Sequence, residues 1–390
     1  MTSHIMPTYA RQTVTFERGE GAWLWDSQGK RYLDALSGIA VCNLGHAHPA
    51  VHEAICLQSQ KLIHTSNLYG VKLQEELADK LCHLSGMDNV FFCNSGTEAN
   101  EAAIKIARKY GHEKGLDQPV IITMDKSFHG RTMGALSATG NIKVKQGFAP
   151  LLPGFIHVPY NDIAAISKAI AADKNIVAIL VEPIQGEGGV NIPDANYLNQ
   201  IRALCDEHKL LMMLDEIQTG IGRTGRFLAY QHNEILPDVC TLAKALGNGL
   251  PIGACMARGK AAAILTAGNH GSTFGGNPLA CSAALAVIDT LTSTNLITEA
   301  NDKGKRICDA ITNYTSGSQQ IVSIRHQGLM IGIELSAPCS ELVGKALEKG
   351  LLINVTADNT IRLLPPLLIN DEQILLLSET LSALIQAHTH

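Results

Sequence analysis

The chain has 390 residues, 46% of them hydrophobic, which is enough to bury a large core and to form two domains. Its formal net charge of −5 is spread over interspersed signs without a basic stripe, so nucleic acid and anionic membranes are poor candidates as partners. The ten cysteines include no Cys-x-x-Cys pair, which favours reduced thiols in the cytoplasm over a disulfide framework or a zinc site. No apolar run approaches the roughly 18 residues of a membrane span, so we expect a soluble protein.

The first predicted element is a β-hairpin near the amino terminus. Residues 22–25 and 31–36 alternate in the manner of strands and flank the turn-forming residues 26–30. A helical pattern follows, preceded by His46 and His48. Two imidazoles could ligate a metal, but no third ligand is spaced to join them, so we expect a structural role for both and no metal site.

Seven short apolar runs alternate with helical stretches between about residues 86 and 257. The runs are 90–93, 120–124, 155–159, 176–183, 210–216, 238–244 and 251–257. Such alternation is typical of βαβ units. We therefore predict an α/β fold whose large domain contains a mostly parallel, seven-stranded sheet.

The segment Ser95, Gly96, Thr97 lies between the first of these runs and a helix. Apolar residues recur every three or four positions along that helix, so one of its faces is expected to pack on the sheet. Ser and Thr beside Gly at a helix start offer hydroxyl and backbone N–H groups to a dianion. Two interpretations are open for this segment, an ordinary helix N-cap or a phosphate site.

Two of the predicted strands end in charged residues, Asp215 and Lys244. Ligands of open α/β sheets bind at those carboxyl ends. A lysine amine can condense with an aldehyde, and a carboxylate can keep a basic ring nitrogen protonated, so the pair suits pyridoxal 5′-phosphate (PLP). A surface lysine is the alternative, but the apolar context Leu-Ala-Lys-Ala-Leu fits it poorly. With Lys244 nearby, the phosphate interpretation of residues 95–97 is favoured.

The residues 220–225 match the dinucleotide-binding pattern G-x-G-x-x-G. Residues 215–219 separate them from the preceding strand, and the residues that follow open a helix poorly. We do not expect a nicotinamide cofactor, because the strand, turn and helix that the pattern needs are missing.

Strand-like runs continue beyond residue 280, interleaved with helices and without a low-complexity linker. They are 321–325, 329–335, 351–355 and 361–364. We predict a small domain formed by residues 1–50 and 280–390, beside a large domain of residues 51–279.

Residues 213–225, MLDEIQTGIGRTG, and the run from 238 to 251 resemble the signature of the class III (ω-amino acid) aminotransferases, which have PLP fold type I. The resemblance covers nearly all of the chain. It implies a PLP-dependent aminotransferase in which Lys244 and Asp215 are catalytic, and it implies that residues 1–50 contribute to the small domain.

The resemblance also implies individual cofactor contacts. Phe128, whose alternative is a core aromatic, would stack on the pyridine ring, and Gln218 would meet the ring hydroxyl. Thr273 would reach the phosphate, and Ser272 the substrate, in the site of a neighbouring subunit, which requires at least a homodimer. The implied cofactor-binding residues are Ser95, Gly96, Thr97, Phe128, Asp215, Gln218, Lys244 and Thr273.

Arg131 and Arg362 are candidates for carboxylate recognition, because a guanidinium fork pairs with a carboxylate through two parallel hydrogen bonds. Each could instead form a surface salt bridge. By resemblance, Arg131 holds the distal carboxylate of the amino donor and Arg362 the α-carboxylate of glutamate. Glu187 would mask Arg362 when an ω-amine binds and swing aside for glutamate. Ile39 stands where family members that act on ornithine have a tyrosine, which favours an acylated α-amine.

The resemblance therefore implies N2-acetyl-L-ornithine as donor and 2-oxoglutarate as acceptor, with glutamate as a product, in a step of arginine biosynthesis. Several alternatives remain open: succinyl-diaminopimelate, ornithine, succinylornithine or 4-aminobutyrate as donor, a PLP aminomutase of the same fold, and a non-catalytic cofactor-binding protein.

Overall fold

The computed structural model describes residues 4–388. The strands are β1 Phe16–Glu20, β2 Trp23–Asp26, β3 Arg31–Asp34, β4 Asn89–Cys93, β5 Val120–Met124, β6 Phe155–Val158, β7 Ile176–Val181, β8 Leu211–Asp215, β9 Val239–Leu242, β10 Gly253–Ala257, β11 Ile321–Gln327, β12 Met330–Leu335, β13 Leu351–Leu352, β14 Asn354–Thr356 and β15 Thr360–Leu363. The α-helices are α1 Ser37–Ala40, α2 Pro49–Ser59, α3 Lys72–Ser85, α4 Gly96–Glu113, α5 Met133–Ala138, α6 Ile163–Ala172, α7 Tyr197–His208, α8 Pro278–Ser293, α9 Leu296–Tyr314, α10 Leu342–Glu348 and α11 Asp371–Gln386.

The seven predicted strands of the large sheet are confirmed, and they lie in the order β4-β10-β9-β8-β7-β5-β6. Strands β9, β8, β7, β5 and β6 run parallel to one another, whereas β10 is antiparallel to both of its neighbours. The prediction of a mostly parallel seven-stranded sheet in an α/β fold is therefore correct.

The central strands β7 and β8 are apolar because both faces of the sheet are covered. Every residue of the two strands is buried. Successive side chains alternate between two hydrophobic clusters: Met212 and Leu214 belong to the larger one, and Leu211 and Met213 to the smaller one. A strand covered on both sides has no polar face, which explains the continuous apolar runs in the sequence.

Two four-stranded sheets stand apart from the large one, in the orders β1-β2-β3-β13 and β11-β12-β15-β14. The predicted hairpin is the antiparallel pair β2 and β3, and β13 pairs with β3 in parallel. The single run predicted at 351–355 is wrong, because its first part joins the first sheet as β13 and its last part joins the second sheet as β14. The division into domains at residues 50 and 280 stays a prediction.

The two histidines after the hairpin have different surroundings. His46 Nε2 lies 2.8 Å from Asp34 Oδ2, and the Asp34 carboxylate also accepts the backbone N–H of Ser37 at 2.8 Å. His48 precedes α2 at its N-cap position. Within residues 4–388, His, Cys, Asp and Glu side chains form no group of three that could hold a metal ion, and the structural role of the two histidines stays a prediction.

The glycine-rich residues 220–225 form a turn between β8 and a short 3-10 helix, Ala229–His232. Arg223 within this turn is buried and donates from Nη1 to the carbonyls of Leu329 and Pro365, at 3.0 and 2.6 Å. The turn thus connects the large sheet to segments that flank the second four-stranded sheet. Across residues 4–388, no single helix has the length and apolarity to cross a membrane; α8 and α9 meet that criterion only as a pair bent by 72°.

Candidate active site

A cavity of about 370 Å³ lies at the carboxyl ends of β8 and β9. It is formed by the start of α4, the turn after β5, the loop after β7 and the segment that follows β9. The predicted site residues among its lining are Ser95, Gly96, Thr97, Phe128, Arg131, Glu187, Asp215, Gln218 and Lys244. Residues up to about 150 positions apart in the sequence are therefore brought to one end of the sheet, as expected for a ligand site of this fold.

Asp215, the last residue of β8, is held by three hydrogen bonds. Its Oδ2 accepts Asn100 Nδ2 and His129 Nδ1, both at 2.8 Å, and its Oδ1 accepts the N–H of Ile217 at 3.1 Å. Thr241 on the neighbouring strand donates to Asn100 Oδ1 at 2.8 Å and so orients that amide. The carboxylate is buried but borders the cavity, so it can face a cationic ring nitrogen in a fixed direction.

Sequence reasoning missed Asn100 and His129, the side chains that orient Asp215. Each left a signal. Asn100 is a fully buried polar residue on a helix face made otherwise of alanines and other apolar residues, and such a residue needs a partner. His129 follows Phe128 directly, in a segment already assigned to the site.

Lys244 lies two residues beyond β9, at the start of a short 3-10 helix, Lys244–Leu246. Its backbone has φ of 46°, in the left-handed region, and its side chain borders the cavity. Burial lowers the pKa of Lys244, and Arg362 lowers it further, while Glu187 and Asp215 oppose the shift. A lysine in this setting can act as a nucleophile and as a base.

The start of α4 has the features of both a helix N-cap and an anion site. Ser95 is the N-cap residue, and its Oγ accepts the N–H of Glu98 at 3.4 Å. Thr97 Oγ1 is 3.3 Å from the backbone nitrogens of Arg131 and Thr132, which joins the helix start to the turn after β5. All three residues 95–97 border the cavity, so the N-cap is also a candidate anion site.

Gly96 has no space for a side chain. A Cβ atom there would lie 2.7 Å from Ile217 Cδ1 and 2.9 Å from Ile217 Cγ2. Ile217 itself lies between Asp215 and Gln218 and borders the cavity. The close approach of helix and strand end brings the candidate phosphate site and the candidate ring site together.

Phe128 and Glu182 form the side of the cavity next to β7. The N–H of Phe128 donates to Glu182 Oε1 at 2.9 Å, and the N–H of Gly186 donates to Glu182 Oε2 at 3.3 Å. Burial raises the pKa of Glu182 to about 7. The exposed Arg131 guanidinium lies 5.5 Å from the centre of the Phe128 ring. Glu182, which the sequence did not single out, thus positions both the aromatic residue and the loop that bears Glu187.

Arg362 and Glu187 form an ion pair at the far side of the cavity. Arg362 is fully buried, and its Nη1 lies 2.6 Å from Glu187 Oε1 and 3.3 Å from Gln218 Oε1. Arg362 does not itself border the cavity but contacts these two residues that do. Arg362 lowers the pKa of Glu187 against the opposing effect of burial. The pairing expected between these two residues is present.

Ser272 and Thr273 lie outside the cavity of their own chain. Ser272 Oγ accepts Asn94 Nδ2 at 3.1 Å, and Thr273 is exposed. Their predicted contribution to a neighbouring subunit stays a prediction. Ile39, expected near the substrate, packs on a third hydrophobic cluster that includes Met330, whereas Val41 borders the cavity.

The residues present fit PLP. The start of α4 suits a dianionic phosphate, Phe128 and the fixed Asp215 carboxylate suit a protonated aromatic ring, and Lys244 suits an aldehyde. Each of these groups borders the same cavity.

Comparison with known proteins leads to the same chemistry. Residues 5–385 match the family described as "Aminotransferase class-III". The chain is 57% identical over 365 residues to an acetylornithine aminotransferase of Nitrosomonas europaea, covering 94% of this chain and 93% of that one.

Two solved structures are similar over almost the whole chain. The acetylornithine aminotransferase of Elizabethkingia anophelis has a TM-score of 0.88 at 37% identity, with 99% of this chain and 97% of that chain covered. An ornithine aminotransferase of Toxoplasma gondii, whose structure shows partial occupancy of PLP at the active site, has a TM-score of 0.94 at 36% identity, with 98% and 92% covered. The chain therefore belongs to the class III aminotransferases and is a PLP-dependent transaminase.

Proposed function

We propose that this chain transfers the δ-amino group of N2-acetyl-L-ornithine to 2-oxoglutarate, giving N-acetylglutamate 5-semialdehyde and glutamate. The ion pair between Arg362 and Glu187, at one side of the cavity that contains Lys244, carries this proposal. It offers a positive charge that can be masked or exposed, as an enzyme with two differently charged substrates requires. The similarity to relatives named acetylornithine aminotransferase supports the choice of donor.

PLP, when bound, supplies an aldehyde and an electron-accepting ring. In the proposed site the start of α4 would bind the phosphate through Ser95, Gly96 and Thr97. Thr273 would reach the phosphate bound in the neighbouring subunit. Phe128 would cover one face of the ring, Gln218 would meet the ring hydroxyl, and Asp215 would keep a proton on the ring nitrogen.

Lys244 carries out the proton transfer. Because burial lowers its pKa, a larger share of the amine is neutral near pH 7 than for an exposed lysine. A neutral Lys244 amine would be able to hold the aldehyde of PLP, and as a free amine it would be able to take the proton from the substrate carbon that bears the nitrogen. Lys244 is therefore proposed as both attachment point and base.

Arg362 and Glu187 distinguish the two half-reactions. An ω-amino donor brings no carboxylate next to its reacting carbon, so Glu187 keeps its place on Arg362. Glutamate and 2-oxoglutarate bring an α-carboxylate, which replaces Glu187 on the buried guanidinium and keeps that charge paired. Arg131, exposed beside Phe128, is left to bind the distal carboxylate, and Ser272 of the neighbouring subunit to approach the substrate.

We also propose a homodimer in the cytoplasm. Segment 67–69 is joined to the segment that bears Ser272, because Asn67 Nδ2 donates to the carbonyls of Ser272 and Gly275, both at 3.0 Å. Large apolar side chains on these two segments are exposed, including Leu68 at 87% and Phe274 at 60%. An apolar surface of this kind favours a second subunit. The free state of all ten cysteines supports a reducing compartment.

The test is a panel of single donors. Purified holoenzyme is supplied with N2-acetylornithine, ornithine, succinylornithine, succinyl-diaminopimelate or 4-aminobutyrate, each with 2-oxoglutarate, and glutamate is measured. We expect the highest kcat/KM for N2-acetylornithine. Ornithine is the second candidate, because the Toxoplasma gondii ornithine aminotransferase is so similar in structure, and a higher kcat/KM for ornithine would replace the proposal. Turnover without 2-oxoglutarate would indicate an aminomutase.

A further inference from the structure

Asn354 holds the guanidinium of Arg362 on the side away from Glu187. The two residues lie opposite each other in the antiparallel pair formed by β14 and β15. Asn354 Oδ1 accepts both Arg362 Nε at 3.1 Å and Arg362 Nη2 at 2.7 Å. Arginine can only donate, so the amide must turn its oxygen toward Arg362.

This contact decides which edge of the guanidinium faces the site. Nε and Nη2 are turned toward Asn354, whereas Nη1 is turned toward Glu187 and Gln218. Arg362 is only 1% exposed, so it has little room to present another edge. A substrate carboxylate that replaces Glu187 therefore meets an arginine whose orientation is already set, which reduces the entropy that binding must overcome.

The neutrality of Asn354 is as important as its position. An amide oxygen orients the guanidinium without cancelling its charge, so the full positive charge stays available to a carboxylate. An aspartate at the same place would pair with Arg362 and compete with the substrate. An apolar residue would leave the buried Nε and Nη2 without an acceptor, so the guanidinium would lose the contact that fixes its orientation.

We propose that Asn354 is a positioning residue that determines specificity for the amino acceptor, the α-carboxylate of glutamate and 2-oxoglutarate. The inference rests on the proposed function, in which Arg362 binds that carboxylate. The ω-amino donor depends less on Asn354, because Glu187 can pair with Arg362 whichever edge the guanidinium presents.

The test measures binding and half-reactions separately in the holoenzyme. Binding of glutarate, a dicarboxylate that lacks the reacting carbonyl, is measured by calorimetry. Each half-reaction is followed in a single turnover by the absorbance of the bound cofactor. The variants are Asn354→Ala, the isosteric Asn354→Asp, Arg362→Gln, and Asn359→Ala as a matched control. Asn359 lies in the turn of the same hairpin, and its side chain donates to the carbonyl of Leu335 at 2.9 Å.

Asn354→Ala removes two hydrogen bonds to a charged group, and Asn354→Asp places a competing carboxylate beside Arg362, so we expect both variants to bind glutarate about tenfold more weakly. The apparent KM for glutamate should rise by a similar factor, while the half-reaction with N2-acetylornithine changes less than about twofold and Asn359→Ala resembles the wild type. An equal loss in both half-reactions, or unchanged glutarate binding in both Asn354 variants, would overturn the role of Asn354. If Arg362→Gln binds glutarate as tightly as the wild type, the role proposed for Arg362 is itself wrong.

Discussion

At the scale of single residues, the ion pair of Glu187 and Arg362 has one fixed and one movable member. The side chain of Arg362 is 1% exposed and that of Glu187 is 31% exposed. Breaking a buried pair by removing one partner costs about 3–5 kcal/mol, because the other charge is left buried. Since Glu187 has access to solvent and Arg362 has almost none, movement of the pair is expected at Glu187.

Replacing Glu187 by glutamine tests the masking of Arg362. The change keeps the shape of the side chain but leaves a positive charge facing the incoming ω-amine. We expect the KM for N2-acetylornithine to rise about tenfold, since like charges raise the cost of binding. The KM for glutamate should stay the same or fall. Half-reactions with each substrate alone give both values, and an unchanged ratio between them would refute the switch.

A second residue-scale prediction concerns His46 and pH. Burial opposes the charged form of His46, yet its hydrogen bonds to Asp34 and Cys42 raise its pKa to about 9. This pKa lies above the value near 6.5 that histidine has in the unfolded chain, so the pair of His46 and Asp34 stabilises the folded state fully below pH ~6.5. The stabilisation is lost as the pH rises through 9.

Denaturant unfolding of the wild type and His46→Gln at several pH values measures this contribution. We expect the variant to be less stable by about 1–2 kcal/mol at pH 6, with the difference shrinking toward pH 10. Because both proteins share every other titrating group, the change in the difference reports on position 46. A difference that is constant with pH would show that His46 is not charged in the folded protein.

At the scale of elements, the start of α4 is shaped by two opposing requirements. A helix favours alanine over glycine by up to about 1 kcal/mol, but a Cβ at Gly96 would collide with Ile217. Gly344 in α10 is a matched control, because a Cβ there meets nothing within 4 Å.

We expect Gly96→Ala to weaken PLP binding by about tenfold or more, since Ile217 must move and it lies between Asp215 and Gln218. Gly344→Ala should leave PLP affinity unchanged. The double variant Gly96→Ala with Ile217→Ala should recover part of the loss, because it removes the clash. Equilibrium binding of PLP to the apoenzyme measures all three, and no recovery in the double variant would rule out the contact with Ile217 as the cause.

At the scale of the whole molecule, the position of Thr273 outside its own cavity leads to a test of shared active sites. Lys244→Ala should inactivate the active site of the subunit that carries the substitution. A variant with alanine at both Ser272 and Thr273 should instead inactivate the active site of the neighbouring subunit. Hybrid dimers of the two would contain one intact site, so co-expression should restore roughly a quarter of the wild-type activity in a random mixture. No recovery would argue against sites completed in trans.

The sequence predicted the parts of the molecule that follow from local pattern and missed those that depend on distant pairing. Asp215 and Lys244 could be identified because apolar strand patterns end beside them. Asn100 could be recognised only as a polar residue on an apolar helix face, and its partner Asp215 could not be identified, because it is 115 residues away. The strands β13 and β14 could not be separated, because the sheet that each joins is decided by remote strands. The antiparallel direction of β10 likewise leaves no mark on its short apolar run.

The left-handed backbone conformation at Lys244 favours glycine, whereas the proposed chemistry requires a lysine side chain. An L-residue with a side chain is strained at φ of 46°, and glycine is not. Lys244→Gly should therefore yield an apoprotein more stable than Lys244→Ala by about 1 kcal/mol, and calorimetric melting of the two would reveal the difference. The lysine proposed as nucleophile and base thus has a backbone conformation that glycine would adopt with less strain.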